Sequence, residues 1–490
     1  MRSVLRATLV LSGSSFVSIL VGLVSAKVWA VLLGPSGVGY MGLLQGLVGL
    51  VALVAGLGIG SGLVSMGANA LAQGNVDRIA ALSRAGWRLN WVASGLALFL
   101  MAVFRVPISR WMLGGPEYAG VVLLMGLALL FHLASSIQTS LLNAHHRVSA
   151  LARIGVLSSL LGAAVSLAIV GVWGVQGIAP SVIASAAASW GVSAYFLRRE
   201  IGPAPTRPAR NEVADATRSL FRFGVPYAAS QMVGAGVQFA LPALVLHTLS
   251  VESVGYYRAA MSVSGVYLGF LLLAMGQDYY PRVSAVSDQS AELALLINQQ
   301  HRLVMLIAAP LILITLAVTP YLIPLIYSAE FAPASQVLEW QLIGDLFKFS
   351  SWTMGFIILA RRYSLTLFLV ELLAGVNILV MSRLGIHWFG LAGLGLAYLL
   401  TYVVHYVVVW LIVRKDIGLV WTMENKLMLL AASLAAFLVR ILPTLGLEHL
   451  RTPVALSLGL LAGAWSIRVI WQEAGLRNYV RAWLGRARSA

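Results

Sequence analysis

The sequence predicts an all-α polytopic membrane protein. It has about fourteen transmembrane helices, arranged as two parallel six-helix lobes around a central cavity plus two C-terminal helices. Three observations carry that expectation. The 490 residues are 60% hydrophobic and only 10% charged, with a mean hydropathy of +0.89, whereas soluble domains carry roughly 25% charged residues. Apolar runs of about 20 residues, the length a helix needs to cross a bilayer, recur along the chain. The two halves also repeat each other.

The first half holds six expected spans, at Thr8–Leu33, Val38–Leu63, Leu89–Phe104, Gly120–Leu142, Leu151–Val172 and Val175–Phe196. The opening Met1–Arg6 resembles a signal peptide, but the apolar run continues to Leu33, too long for one. A polar linker, 198–219, follows the first lobe (1–197). The second lobe (220–415) holds spans at Phe221–Leu249, Val254–Met275, Leu303–Tyr327, Ala334–Leu359, Ser364–Met381 and Trp388–Val413. Residues 416–490 add spans at Lys426–Leu442 and Pro453–Ile470 and an arginine-rich tail.

Loop charges agree with an even count. The net charge is +16. With the N-terminus in the cytoplasm, most arginines fall in cytoplasmic segments, among them Arg78, Arg84, Arg88, Arg198, Arg199, Arg361 and Arg362. The opposite side keeps Arg105, Arg110, Arg258, Arg383, Arg440 and Arg451. The positive-inside rule then places both termini in the cytoplasm, and with anionic lipid it accounts for the basic excess without nucleic acid. There is no cysteine, which excludes disulfides, thiolate catalysis and cysteine metal sites.

The repeat is read from short matches. Val38-Gly39-Tyr40 recurs as Val254-Gly255-Tyr256, and Asn143-Ala144-His145-His146 as Leu359-Ala360-Arg361-Arg362, at one common offset. Pro107 and Glu117 find partners in Pro320 and Glu330, three residues short of it. Six spans per half is an even number, so the halves insert in the same orientation. Parallel repeats of this kind place a transport site between them.

The stretch Val337–Leu359 is apolar enough to span yet holds Glu339, Gln341, Asp345 and Lys348. Gln341, Asp345 and Lys348 share one helical face. An ionised group at the bilayer centre costs about 2.5–3.5 kcal/mol on insertion scales, so this face points into a bundle or a wet cavity. It is either a pair that ties helices together or one wall of a transport path. The repeat offset sets His132 opposite Lys348. Lys27 ends the first span, where it either snorkels to the interface or serves as a cavity cation, and Arg258 is equally ambiguous. Together Lys27, His132, Arg258 and Lys348, with Gln341, form the expected substrate-binding set. A basic lumen of this kind suits a diphosphate. Asp345 and Glu371 are the candidate ion-coupling residues, for a proton or sodium ion. Gln231 and Gln238 share a face and read either as sugar contacts or, in preference, as interhelical glue. The serines and glycines within spans read as packing.

No Walker-type loop, zinc-binding His-Glu-x-x-His or nucleophile elbow is present. No enzyme activity, cofactor or metal is expected, and any drive comes from an ion gradient, the membrane potential or the substrate's own gradient.

Leu11-Ser12-Gly13-Ser14-Ser15 and Leu33-Gly34-Pro35-Ser36-Gly37-Val38-Gly39 resemble the opening of bacterial polysaccharide flippases. So do Tyr327-Ser328-Ala329-Glu330-Phe331 and Trp340-Gln341-Leu342-Ile343-Gly344-Asp345-Leu346-Phe347-Lys348. The second pair is closer to the flippases of the enterobacterial common antigen lipid and the related O-antigen translocases. The resemblance runs from about Leu5 to Lys415 and lies within the multidrug/oligosaccharidyl-lipid/polysaccharide exporter superfamily. It implies movement of an undecaprenyl-diphosphate-linked oligosaccharide between leaflets of the bacterial inner membrane by alternating access. The implied partners are the polyprenyl-diphosphate glycan, membrane lipid and the polysaccharide polymerase machinery.

Lipid II is the runner-up cargo, because lipid II flippases share fourteen spans. A cation-coupled drug exporter is disfavoured by Lys27 in a first span without carboxylates. A membrane glycosyltransferase is disfavoured by short loops. The last helix pair reads either as a tail-binding element or as a peripheral anchor. Lys348→Ala is expected to abolish transport while leaving membrane insertion intact; normal transport by that variant would remove Lys348 from the site.

Overall fold

The computed structural model describes residues 2–202 and 208–473. Linker residues 203–207 and the arginine-rich tail from 474 lie outside the described residues. Among those described the chain is helical, with no strand. Ten helical stretches are long and apolar enough to cross a membrane, or eleven when a bent pair, Arg210–Ala229 and Gln231–Thr248, counts as one. Two of the ten, Gly13–Gly56 and Val148–Glu200, each cover two expected spans. Each of the fourteen expected spans lies mainly on helix, the second being broken at Leu57–Gly58.

The helices of the first half are α1 (Arg2–Gly56), α2 (Ile59–Ala72), α3 (Val76–Val103), α4 (Arg105–Leu113), α5 (Ala119–Ala144), α6 (Val148–Trp173) and α7 (Ile178–Glu200). Then come α8 (Arg210–Thr248), α9 (Val251–Ala274), α10 (Tyr280–Ala285), α11 (Ser290–Ile326), α12 (Ala334–Ala360), α13 (Ser364–Phe389), α14 (Ala392–Ile417), α15 (Met423–Ile441) and α16 (Glu448–Glu473). Helix thus occupies both ends of the expected linker, up to Glu200 and again from Arg210.

Two departures from the expected spans have local causes. The first two spans meet at a break in α1 rather than a loop: Gly34 alone leaves helical geometry, at φ 62° and ψ −172°. Pro35 forbids the helical region to the residue before it, and its own missing N–H costs nothing where a helix restarts. The second span ends early, at Gly56. Leu57 and Gly58 turn left-handed, with φ of 45° and 63°, and a Cβ on Gly58 would come within 3.0 Å of Gly224 Cα.

The chain forms two compact units, one of Met1–Ala259 with Leu325–Phe331, the other of Ala260–Pro324 with Ala332–Ala490. In the first, α5 packs against α7, α2, α3 and α1, while α6 packs against α1 and α7. In the second, α12 is central, packed on α14, α13, α15 and α10. Leu365, Leu369, Leu373 and Val380 on α13 remain exposed, as an apolar face in contact with lipid would be.

The repeat is visible in backbone geometry. His146 and Arg362 occupy equivalent positions and both have positive φ, 54° and 58°. So do Gly174 and Gly390, at 55° and 56°, with ψ of −134° and −135°. Equivalent aromatic pairs recur: Tyr40 with Tyr118 at 5.6 Å between ring centroids, and Tyr256 with Phe331 at 6.1 Å. Within the first unit, equivalent residues touch each other. Ser36 donates to Glu252, and Arg258 Nη1 donates to the Gly42 carbonyl, each pair 216 residues apart. A Cβ on Gly39 would strike the Val251 carbonyl, and one on Gly255 the Pro35 carbonyl. The glycine of the repeated Val-Gly-Tyr is therefore required by close backbone approach. The hydrogen bond from Ser36 holds the Glu252 carboxyl below its ordinary range.

The last helix pair is bonded to the second unit at two places. At one end Asn298 on α11 accepts from the Thr422 N–H at 3.0 Å and from Asn425 Nδ2 at 2.9 Å, and Arg302 pairs with Glu424 at 2.9 Å. At the other, buried Glu339 of α12 holds Arg440 of α15 at 2.9 Å and also Arg451 of α16. Removing the anion would leave two guanidinium groups facing each other. Glu339→Ala is expected to cost about 3–5 kcal/mol, the range for breaking a buried ion pair, measurable as a lower melting temperature in detergent.

Candidate functional site

In the second unit, the polar face of α12 is buried: Gln341 and Asp345 are 0% exposed and Lys348 is 9%. Glycines let α14 approach this helix. A Cβ on Gly344 would lie 2.8 Å from the Tyr398 ring and 3.0 Å from Leu399 Cα. Close approach delivers Tyr398, Tyr402 and His405, which share one face of α14, to the charged face of α12.

The two charges meet through one hydroxyl. Tyr398 donates to Asp345 Oδ1 at 2.7 Å, and Lys348 Nζ donates to the same Tyr398 oxygen at 3.1 Å. Ser264 of α9 donates to Asp345 Oδ2 at 2.9 Å. The ammonium also stands 4.8 Å from the Trp352 ring centroid and 4.7 Å from that of Tyr402, within the range of cation–π attraction. An anion with two hydroxyl donors and a cation with an oxygen and aromatic faces form a compensated cluster. Gln341 Nε2 contacts Met261 Sδ at 3.1 Å, while its Oε1 is buried with no hydrogen-bond partner. Glu371 lines an adjoining cavity of about 200 Å³ with Trp352 and His405.

The first unit holds the other expected residues. Arg258 Nη1 reaches the Gly42 carbonyl at 2.8 Å and Nη2 the Gln45 Oε1 at 3.3 Å. Gln45 and His132 line one cavity of about 740 Å³ between α1, α5, α6 and α7. Lys27 is half-buried on α1. The residues Val21, Ser25 and Trp29 line that cavity and Lys27 does not, because it lies round the helix from them.

The structure thus joins Asp345 and Lys348 through Tyr398, and relates Arg258 to His132 through Gln45. Sequence reading missed Tyr398, Tyr402, His405 and Ser264. The available signal was Tyr-x3-Tyr-x2-His, a polar-tipped stripe at helical spacing inside an apolar span. Tyr398→Phe removes the shared hydroxyl and is expected to cost about 1–3 kcal/mol. Asp345→Asn combined with Lys348→Met is expected to destabilise less than the sum of the single changes. Melting of the four proteins in detergent checks this, and strictly additive losses would show that the two charges act independently.

Comparisons with known proteins cover most of the chain. The Lipid III flippase of Escherichia coli (strain K12) is 22% identical over 418 residues, covering 82% of this chain and 96% of the relative. The Lipid III flippase of Shigella flexneri matches to the same extent. Among solved structures, the lipid II flippase MurJ in an inward closed conformation superposes with a TM-score of 0.70 at 13% identity, over 95% of this chain and 99% of that one. An inward-facing multidrug resistance MATE family transporter of the MOP superfamily gives 0.66 at 16% identity, over 82% and 94%. At these identities the structures establish the fold alone, that of a polytopic helical membrane protein. A family model described as "Polysaccharide biosynthesis protein" matches residues 28–336, more than half of the sequence, and the chain belongs to that family.

Proposed function

We propose that this protein is a flippase that moves a polyprenyl-diphosphate-linked oligosaccharide from the cytoplasmic to the periplasmic leaflet of a bacterial inner membrane by alternating access. The observation that carries the reading is the extent of the likeness to lipid III flippases, 96% of whose length is matched. A likeness that long spans a whole transport body rather than a shared helix or two. Intramembrane basic groups add support: Lys348, Arg258 and Lys27 are cations suited to a diphosphate.

In this reading, intramembrane cations contact the diphosphate and the lipid tail stays in the bilayer. Asp345 is the coupling group, with Glu371 beside it. Protonation or sodium binding at Asp345 neutralises the carboxylate, weakens the bond it accepts from Tyr398 and frees Lys348 to exchange partners. The termini lie in the cytoplasm, following the loop arginines. The delivered glycan lipid passes to the polysaccharide polymerase machinery.

Purified protein in liposomes, given a polyprenyl-diphosphate glycan labelled on one leaflet, tests the reading. Lipid II and a cationic dye serve as comparison cargoes. The glycan lipid is expected to cross and the dye to stay. Dye export without lipid movement would make the protein a drug exporter, and movement of lipid II alone would reassign the cargo.

A further inference from the structure

A polar cavity in the second unit lies outside the charged cluster of α12 and α14. It encloses about 590 Å³ between α10, the turn after it and the turn joining α12 to α13, inside the range of roughly 300–1,000 Å³ typical of small-molecule sites. In the proposed topology this is the cytoplasmic end of the unit. Arg361 frames it. Its Nε donates to the Ser287 carbonyl at 2.9 Å, its Nη2 to Ser290 Oγ at 3.2 Å and its Nη1 to Asp416 Oδ1 at 2.7 Å. One guanidinium thus ties the loop after α10, the start of α11 and the end of α14 to the α12–α13 turn, and Asp416 matches its charge. Arg282 on α10 is matched in the same way by Asp278. Two lining charges are left over. The side chains of Arg362 and Asp288 form no ion pair or hydrogen bond with any described residue. They are one cation and one anion in one cavity, with Tyr280 and Ser284 adding hydroxyls.

A second cavity continues the first into the helices. It holds about 200 Å³ and shares Leu359 with the polar one. Phe356, Leu359 and Leu367 give its near end an apolar wall. Trp352, Glu371 and His405 line it about one helical turn deeper, on α12, α13 and α14. The exposed apolar face of α13 starts at the level of the near end, with Leu365 70% and Leu369 52% exposed. A polar chamber above an apolar groove, at the edge of an exposed apolar face, has the form of a site for an amphiphile.

The two charges choose among amphiphiles. A guanidinium suits a phosphate, and a carboxylate suits an ammonium. A headgroup carrying phosphate alone would meet Arg362 but be repelled by Asp288, and a diphosphate would be repelled more. Carboxylate and hydroxyl oxygens accept N–H donors, which a trimethylammonium lacks. We infer that the joined cavities bind one zwitterionic phospholipid with a primary-ammonium headgroup. Arg362 holds its phosphodiester, Asp288 with the hydroxyls of Ser284 and Tyr280 takes its ammonium, and an acyl chain enters past Leu359. This ligand is a bilayer lipid and not cargo, so the inference stands apart from the flippase reading.

Native mass spectrometry of the full chain in detergent, titrated with dioleoyl phosphatidylethanolamine, phosphatidylglycerol or phosphatidylcholine, tests the inference. Phosphatidylethanolamine is expected to bind about tenfold more tightly than either of the others, the difference of one charge-assisted hydrogen bond. Asp288→Asn is expected to abolish its preference over phosphatidylglycerol, and Arg362→Gln to weaken both lipids about tenfold. Both side chains are exposed and bond to no described residue, so the lipid-free melting temperature of each variant is expected to match that of the wild type. Glycerophosphoethanolamine, the headgroup without its chains, is expected to bind far more weakly; equal binding would assign the chamber to a soluble ligand and overturn the lipid assignment. Phosphatidylethanolamine binding no tighter than phosphatidylglycerol or phosphatidylcholine, or binding unchanged in both variants, also overturns the inference. So does full displacement of phosphatidylethanolamine by a polyprenyl diphosphate, which would give the site to cargo. Failure of the protein to move any glycan lipid in liposomes would sink the flippase reading and leave this result as it stands.

Discussion

A charged helix face inside a bilayer must be compensated by protein, and α12 is organised by that constraint. Asp345 and Lys348 lie on a helix that a membrane would otherwise reject. Their compensation comes from α14, which supplies one hydroxyl to both charges and rings to the cation. The rest of the second unit follows. Gly344 exists so that α14 can come close enough, α9 contributes Ser264 to the remaining carboxylate oxygen, and Glu339 one helical turn and a half away draws in α15 and α16. A stable arrangement of this kind has discrete alternatives rather than a continuum, because each charge must find a complete set of partners wherever it goes. That property suits a transporter, whose states must be few and separated.

The repeat supplies a common frame on which the two halves of the sequence differ. Backbone geometry is held: left-handed residues recur at His146 and Arg362, and at Gly174 and Gly390. Side-chain chemistry is not held. His and Arg share a conformation that disfavours both, at a cost of order 1–3 kcal/mol where it is strained. The loop geometry is therefore imposed by the helices it joins, rather than by the residues within it.

Much of the fold was legible because membrane helices announce themselves by length and apolarity. The repeat was legible because glycines at close approaches, such as Gly39 and Gly255, resist change. The polar face of α12 was legible because charge in an apolar span is rare. Its partners were harder to find. Tyr398 and Tyr402 read as ordinary membrane aromatics, and only proximity to α12, set by tertiary packing some fifty residues away, gives them a polar role. The hydroxyl-lined cavity of the first unit was illegible for another reason. A serine that caps its own backbone and a serine that lines a void have the same sequence signature, and the difference lies in what stands opposite. The break at Leu57–Gly58 was missed because two apolar-flanked glycines read equally well as helix packing.

The pairing of Glu339 with arginines from both C-terminal helices makes the last two helices part of what keeps α12 neutral. A fourteen-helix protein is not simply a twelve-helix one with an appendix. Without α15 and α16 this chain would carry an uncompensated carboxylate near the start of α12, so the glutamate and the helix pair depend on each other.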